Sequence, residues 1–251
     1  MPPSNPNKPH SFMETGLKGW SFEGIEDSGE YSVPRYKFKH NGPTLWLWGQ
    51  IPYQLDRRFN LEERKQIFNA IFQFRELTCI NFHERVYPYR DYIYIHPGES
   101  CFSDVGRLGE QQIVSLGKGC LNTSSVIHQL MHVIGFYHEH ERPDRDHYVT
   151  VLKDNIDVDH VEDFEKRPFK MPYDRLPYDY GSVMHLGNTA YSANNLPTLK
   201  VRQRGAFIGR RSKHAYFSDL DLKKIKLLYA CDSHYFKPQF QQRHPLLPLE
   251  A

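Results

Sequence analysis

Residues 128–146 read His-Gln-Leu-Met-His-Val-Ile-Gly-Phe-Tyr-His-Glu-His-Glu-Arg-Pro-Asp-Arg-Asp. Three histidines in this stretch, His128, His132 and His138, have the spacing of metal ligands. The first two are four residues apart, so a helix places them on one face. Gly135 suits the left-handed conformation that ends a helix and turns the chain, which brings His138 to the same point. Three neutral imidazoles with an open fourth position are typical of a catalytic zinc site.

The residues around the first two histidines predict a buried helix. Val126–Ile134 is almost continuously apolar, and Asn122–Ser125 offers several N-cap residues just before it. A bare His-x-x-x-His pair is more often two ordinary histidines than a metal site. The third histidine at the turn makes the metal interpretation the stronger one here.

The composition indicates a globular chain with no charge-driven partner. Its 251 residues, 39% hydrophobic and 14% aromatic, are enough for one large domain or two lobes around a cleft. The net charge is +2 with both signs mixed, so neither nucleic acid nor an anionic membrane is expected as the main partner. No apolar run reaches the roughly 18 residues of a membrane span, and residues 1–11 lack the apolar segment of a secretory signal.

Hydrophobic periodicity divides the chain into a polar leader (1–40), a folded domain (41–234) and a short tail (235–251). An amphipathic helix is predicted over Leu61–Phe74, and a closing helix over Asp219–Tyr229 with Ser218 as its cap. Strands are predicted at Thr44–Tyr53, Cys79–Phe82, Asp91–His96 and Gln111–Leu116. A small sheet is therefore expected ahead of the metal helix, and few regular elements after it.

The four cysteines favour disulfide bonds. Their number is even and none lies in a Cys-x-x-Cys pair, which argues against a zinc knuckle. Reduced, buried thiols are the alternative. The four residues, which allow three connectivities, are Cys79, Cys101, Cys120 and Cys231.

The histidine stretch resembles the metzincin signature His-Glu-x-x-His-x-x-Gly-x-x-His, and the residues around it narrow the match to the astacin family of zinc endopeptidases. Residues 178–185, Tyr-Asp-Tyr-Gly-Ser-Val-Met-His, resemble the Met-turn of that family, in which Met184 lies as an apolar floor beneath the zinc. The resemblance covers about residues 44–232. The further matching residues are Phe136, Glu139, Arg142, Asp144, Arg145, Asp146, and the segments 115–120, 217–221 and 228–231.

The resemblance implies an α+β, two-lobed fold with a cleft for extended peptide or protein. The upper lobe carries a twisted sheet and the active-site helix, and the mostly irregular lower lobe ends in a helix. One edge strand pairs with the peptide, here expected at about Gln111–Leu116. Disulfides Cys79–Cys231 and Cys101–Cys120, one zinc ion and secretion are also implied, and a monomer is expected.

The resemblance further implies proteolytic processing near residue 40. In the family the residue equivalent to Glu139 receives the new amino terminus in a buried contact; an exposed carboxylate is the alternative. Residues 21–24, Ser-Phe-Glu-Gly, resemble the inhibitory pro-segment. In the family an aspartate at the position of Ile25 coordinates the zinc in the latent enzyme. Glu26 or Asp27 is the alternative zinc-binding carboxylate here.

Two positions depart from the family at the chemistry itself. Gln129 replaces the glutamate that takes a proton from the attacking water, and an amide cannot change charge state, so turnover should fall about 10²–10⁴-fold. Leu186 replaces the Met-turn tyrosine that helps to hold the oxyanion, a donor worth about 10²–10³ in rate. One change alone would fit a deliberate inactivating substitution; two favour a natural pseudoprotease that binds zinc and peptide.

Two other interpretations stay open. The chain is alternatively an active secreted zinc metalloendopeptidase in which His185 or a nearby carboxylate serves as the base. A weaker alternative is that a basic cluster binds an acidic protein or glycan. Another is that part of this cluster lines the cleft beyond the scissile bond. That cluster consists of Lys200, Arg202, Arg204, Arg210, Arg211 and Lys213.

Overall fold

A computed structural model describes residues 42–209 and 216–232. Within these ranges the chain forms seven strands and three α-helices, joined by short 3-10 turns. The predicted leader and tail, the pro-segment-like residues 21–24, and Arg210, Arg211 and Lys213 of the basic cluster lie outside the described residues. None of the described helices combines the length and apolarity required to cross a membrane.

The upper lobe is a five-stranded sheet whose apolar core is shared with two helices of this lobe and with Ile225 and Leu228 of the C-terminal helix. The sheet order is β2-β1-β3-β5-β4; all neighbours are parallel except β4, which runs antiparallel to β5. Ile51 of β1, Ile93 of β3 and Val114 of β5 are fully buried in this core. The elements are β1 (Gln50–Leu55), α1 (Leu61–Leu77), β2 (Asn81–Glu84), β3 (Tyr92–His96), β4 (Cys101–Ser103), β5 (Gln111–Leu116) and α2 (Thr123–Val133).

Local sequence explains where α1 begins and which face it buries. The Asn60 side chain accepts from the Glu63 backbone N–H at 3.0 Å, and the Glu63 carboxylate accepts from the Asn60 N–H at 2.8 Å. This reciprocal capping box satisfies two donors that the first turn leaves free. Ile67 and Phe74 of α1 are fully buried. The predicted helix is confirmed and continues to Leu77.

The structure corrects the prediction for the edge strand. Gln111–Leu116 is β5, which lies between β3 and β4 inside the sheet. The edge strand on this side is β4, which has a strand neighbour on one side only within the described residues. The prediction failed because Cys101–Ser103 is too short to show period-two alternation, so its pairing is decided by tertiary contacts.

The starts of two predicted strands also shift. β1 begins at Gln50, not Thr44, because Trp46 is buried and donates its indole N–H to Val133 O at the end of α2, 2.9 Å away. β2 begins at Asn81, since Cys79 is held by a disulfide just after α1 ends. Both strands exist where predicted, with ends set by packing.

The lower lobe has few regular elements, as predicted. Two short strands, β6 (Val149–Val151) and β7 (Leu199–Val201), pair antiparallel. They carry a second apolar cluster, built from Val149, Ile156, Phe164, Tyr178 and Leu199. The chain closes with α3 (Asp219–Tyr229), and Ser218 caps it by accepting from the Asp221 N–H at 2.8 Å.

Two disulfides tie the chain together in the pairing that the resemblance implies. Cys79, just after α1, is bonded to Cys231, just after α3. Cys101 of β4 is bonded to Cys120 in the loop before α2. No cysteine remains free. The second bridge fixes the edge strand β4 next to the helix that carries two of the histidines.

Candidate metal centre

Helix α2 positions His128 and His132 through its apolar faces. The Asn122 side chain caps the helix by accepting from the Ser125 N–H at 3.0 Å. Val126 and Leu130 are fully buried in the upper-lobe core. Gly135 follows the helix with φ of +100°, and an added Cβ would lie 2.9 Å from Leu45 Cδ2. The predicted left-handed turn is therefore present.

The three histidines meet at one point. One ring nitrogen from each of His128, His132 and His138 lies within 4.8 Å of the other two, and His128 Nε2 is 3.2 Å from His138 Nε2. Each Nδ1 faces an acceptor: Val183 O for His128, Phe136 O for His132 and a Glu141 carboxylate oxygen for His138. Protons on Nδ1 leave the Nε2 lone pairs facing one another, which is the donor set of a zinc site.

Burial keeps two of the ligands neutral. Desolvation, with a smaller contribution from the charge of His138, lowers the pKa of His128 to about 4. Desolvation, followed by the charges of His138 and His128, also lowers the pKa of His132 well below its ordinary value. Neutral imidazoles have a free lone pair for a metal at physiological pH. The site is therefore prepared to bind a cation.

Glu139, next to the third ligand, is buried and ion-paired. Its carboxylate accepts from Lys224 Nζ at 2.5 Å, from an Arg142 Nη at 3.1 Å and from the Asp179 N–H at 2.8 Å. Burial by itself would raise the pKa of Glu139, but Lys224 and Arg142 outweigh it and the net shift is downward. Its expected partner, a processed amino terminus near residue 40, falls outside the described residues.

The turn at residues 182–184 links the ligands to helix α3. Met184 is buried in the upper-lobe core, and its carbonyl accepts from the Glu139 N–H at 2.9 Å. Asp221 of α3 accepts from the Val183 N–H at 2.9 Å and the Ser182 hydroxyl at 2.6 Å. Because the carbonyl of Val183 in turn accepts from His128, Asp221 acts on the ligand indirectly. Sequence reasoning missed Asp221, although its place in the first turn of α3 marks it as a capping residue.

Gln129 follows the first ligand in α2 and is 6% exposed. Its amide oxygen is buried and has no hydrogen-bond partner within the described residues. A buried polar atom without a partner usually marks a functional position or a missing ligand or water.

Leu186 and His185 lie in the lower lobe's apolar surroundings. Leu186 packs against the second apolar cluster and has no hydrogen-bond donor in its side chain. His185 donates from Nδ1 to Leu186 O at 2.7 Å, and its Nε2 faces the Tyr178 hydroxyl at 2.8 Å. Burial lowers the pKa of His185. Both ring nitrogens of His185 are therefore occupied.

Comparison with known proteins places these features in one family. The family model described as Astacin, a peptidase family, matches residues 38–230. The chain is 39% identical over 204 residues to zinc metalloproteinase nas-7 of Caenorhabditis elegans, covering 79% of this chain and 52% of that protein. It is 42% identical over 198 residues to zinc metalloproteinase nas-8 of Steinernema carpocapsae, covering 77% and 47%. The chain thus spans about half the length of these curated relatives.

Solved structures agree with the sequence comparison. High choriolytic enzyme 1, a hatching enzyme zinc-protease from the medaka fish Oryzias latipes, matches with a TM-score of 0.68 and 32% identity, over 76% of this chain and all of that chain. Myroilysin matches with a TM-score of 0.51 at 18% identity, over 74% and 95%, which is a similarity of fold alone. The two-lobed α+β architecture predicted from the sequence is confirmed.

Proposed function

Because this chain belongs to the astacin family of zinc metallopeptidases, we propose that it binds one zinc ion and an extended peptide but cleaves peptide bonds slowly or not at all. His128, His132 and His138 would hold the zinc. In an active family member, the ion supplies the Lewis acid for peptide hydrolysis. In this chain the residues around the ion favour binding over turnover.

Gln129 is the observation that carries the proposal. Peptide hydrolysis requires a group that accepts a proton from water and later returns it to the leaving amine. The Gln129 amide is nearly isosteric with a glutamate side chain, and its buried oxygen is available as an acceptor within the described residues. An amide does not take up a proton near neutral pH, so it orients a water molecule without activating it.

The groups considered as substitute bases are engaged elsewhere. His185 has partners on both ring nitrogens, and Glu141 accepts from the ligand His138 at 2.6 Å. Glu139 is ion-paired with Lys224 and Arg142. Recruiting any of these would break a buried interaction. The alternative of an active endopeptidase with another base therefore has less support.

The edge strand β4 is the proposed site for the peptide. The second disulfide holds β4 next to the loop before α2, and its outer side has no strand neighbour within the described residues. An extended peptide can add to such an edge through main-chain hydrogen bonds, with side-chain pockets giving specificity. The peptide would then lie along the cleft beside the zinc ligands.

The two disulfides support a location outside the reducing cytosol. We therefore propose that the protein is secreted and acts as a monomeric peptide binder, decoy or competitor. In that role zinc stabilises the fold, since metal binding and folding are coupled, and it also helps to bind the peptide.

The test is cleavage of a broad peptide library by zinc-loaded protein, as the full chain and trimmed near residue 40. Wild type is compared with Gln129→Glu and with Gln129→Glu combined with Leu186→Tyr, with zinc content quantified in each. We expect Gln129→Glu to raise turnover about 10²–10⁴-fold by restoring the base. The second substitution adds a hydroxyl donor for the oxyanion. The control is His132→Ala in all three backgrounds, which removes a proposed ligand and should abolish any zinc-dependent cleavage.

Peptide binding is measured separately, by titrating zinc-loaded wild type with library peptides. Equal cleavage by wild type and the double variant would refute impaired catalysis. The substitute base would then be sought with the variants His185→Ala and Glu141→Gln. Cleavage by the double variant alone, together with peptide binding by wild type, would support the proposal.

A further inference from the structure

The three zinc ligands differ in the acceptor to which Nδ1, the ring nitrogen that faces away from the metal site, donates its hydrogen bond. His128 donates to Val183 O at 2.8 Å and His132 to Phe136 O at 2.7 Å, both neutral backbone carbonyls. His138 donates instead to the Glu141 carboxylate, at 2.6 Å. Hydrogen bonds to an ionised acceptor are shorter and roughly twice as strong as neutral ones. One ligand of the three therefore has a charged support.

The position of Glu141 is set by the backbone around it. It ends the 3-10 turn Glu139–Glu141, which begins directly after His138. The Glu141 N–H donates to His138 O at 3.2 Å, and Glu141 O accepts from the Arg167 N–H at 2.7 Å. The side chains of His138 and Glu141 are 21% and 19% exposed, so the pair is mostly shielded from water. Shielding strengthens the interaction of the carboxylate with the ring.

The third ligand needs such support more than the other two. His128 and His132 lie on α2, whose side chains are packed in the upper-lobe core, whereas His138 lies in a turn. A carboxylate on the outer nitrogen fixes the ring orientation and raises the basicity of a metal-ligating histidine. It also places a negative charge close to the three histidines, which favours a divalent cation.

We propose that Glu141 is a positioning residue that holds His138 for zinc and determines how tightly the ion is retained. The proposal deepens the proposed function, because it rests on the same zinc site and identifies which residue secures the ion. It does not depend on whether the chain cleaves peptides. Failure of one leaves the other standing, since zinc affinity and peptide turnover are separate readouts.

The experiment measures the zinc dissociation constant of the full chain by competition with a chelator of known affinity. Wild type is compared with Glu141→Gln, Glu141→Asp and the control Glu165→Gln. Glu165 is an exposed carboxylate paired with Lys153 at 3.4 Å, so its loss removes the same charge away from the site. We expect about 10–100-fold weaker zinc binding for Glu141→Gln. The control should stay within about twofold, because exposed pairs contribute little.

A second readout separates positioning from general stability. In zinc-loaded wild type labelled with ¹⁵N, the Nδ1 proton of His138 should resonate furthest downfield of the three ligands, because its acceptor is charged. In Glu141→Gln this resonance should move upfield, while those of His128 and His132 stay in place. The wild-type measurement stands even if a variant fails to fold.

Zinc affinity within twofold of wild type for folded Glu141→Gln would overturn the proposal. So would a His138 proton resonance that coincides with those of His128 and His132 in the wild-type protein.

Discussion

The three proposed zinc ligands are supported in two physically different ways. His128 and His132 are carried by a helix whose buried side chains are mostly apolar. His138 and the turn after it rest on a buried polar network in the lower lobe, which also reaches His128 through Val183. This lower-lobe polar network consists of Glu139, Arg142, Arg167, Asp174, Asp179, Ser182, Ser218, Asp221 and Lys224.

The difference shows how each half of the site fails. When a buried apolar side chain is shortened, the loss of stabilising free energy grows with the volume removed, and this loss does not depend on pH. Removing one partner from a buried charge network costs much more free energy, because the remaining charge stays desolvated and unpaired. Conservative changes in the apolar packing around α2 should therefore have graded effects, and the polar network should respond sharply to single charge deletions.

The largest expected effect comes from breaking the network beside His138. Lys224→Met leaves the Glu139 carboxylate without its closest cation, and loss of one partner of a buried pair costs about 3–5 kcal/mol in the free energy of unfolding. Denaturant unfolding of zinc-loaded protein measures this. Glu139→Gln combined with Lys224→Met is the control and should recover part of the loss. A cost below about 1 kcal/mol for the single variant would contradict a buried, coupled pair.

A somewhat smaller effect is expected from the helix side. Leu130→Ala removes a fully buried side chain of α2, and such deletions cost about 2–5 kcal/mol. The same unfolding assay applies, run at two values, about pH 6 and pH 8, on either side of neutrality. Because no charge is involved, the loss should be equal at the two values. A pH-dependent loss would mean that the helix also depends on the network.

Asp221 should make the stability of the network depend on pH. Burial, followed by the charge of Asp179, raises the pKa of Asp221 from 3.8 to about 6. The protonated form is favoured in the folded state, so its stabilising contribution is full below about pH 4 and is lost as pH rises through about 6. Relative to Asp221→Asn, wild type should lose about 2–3 kcal/mol of unfolding free energy between about pH 4 and pH 7. Parallel pH profiles of the two metal-free proteins would refute this assignment.

The smallest effect separates two matched helix caps. Asn60 caps α1 at the surface, whereas Ser218 caps α3 inside the network, where its hydroxyl also donates to Asp179. Replacing a cap by alanine costs about 0.5–2 kcal/mol, so Asn60→Ala should lie at the low end and Ser218→Ala at the high end. Thermal unfolding of both variants measures the difference. Equal shifts would show that the network adds nothing to the cap.

Much of the upper lobe could be predicted from the sequence. The positions of α1, α2 and α3 follow from apolar spacing and capping residues, and Gly135 marks the turn that brings His138 back. Strand ends were less predictable. β1 starts late because Trp46 packs on α2, and the edge strand β4 is too short to have a pattern of its own.

The clustering of the three histidines could be predicted from the sequence, but the residues that support them could not. His128, His132 and His138 are visible in the sequence because helical geometry and one glycine determine their spacing. Glu141 lies in the same stretch, three residues after His138, but nothing in the spacing indicates which ring nitrogen it contacts. Asp221 and Lys224 lie 83 and 86 residues further along than His138.

The sequence alone therefore determined the metal and the family, and it identified Gln129 and Leu186 as the positions on which the proposed loss of catalysis depends, because these depend on residue identity and short-range spacing. Only the tertiary structure decided what fixes each ligand and which groups remain free to act as a base. Buried hydrogen bonds and ion pairs form between residues distant in the chain, and their partners are selected by packing. The spacing of residues along the chain does not indicate which distant partners packing brings together.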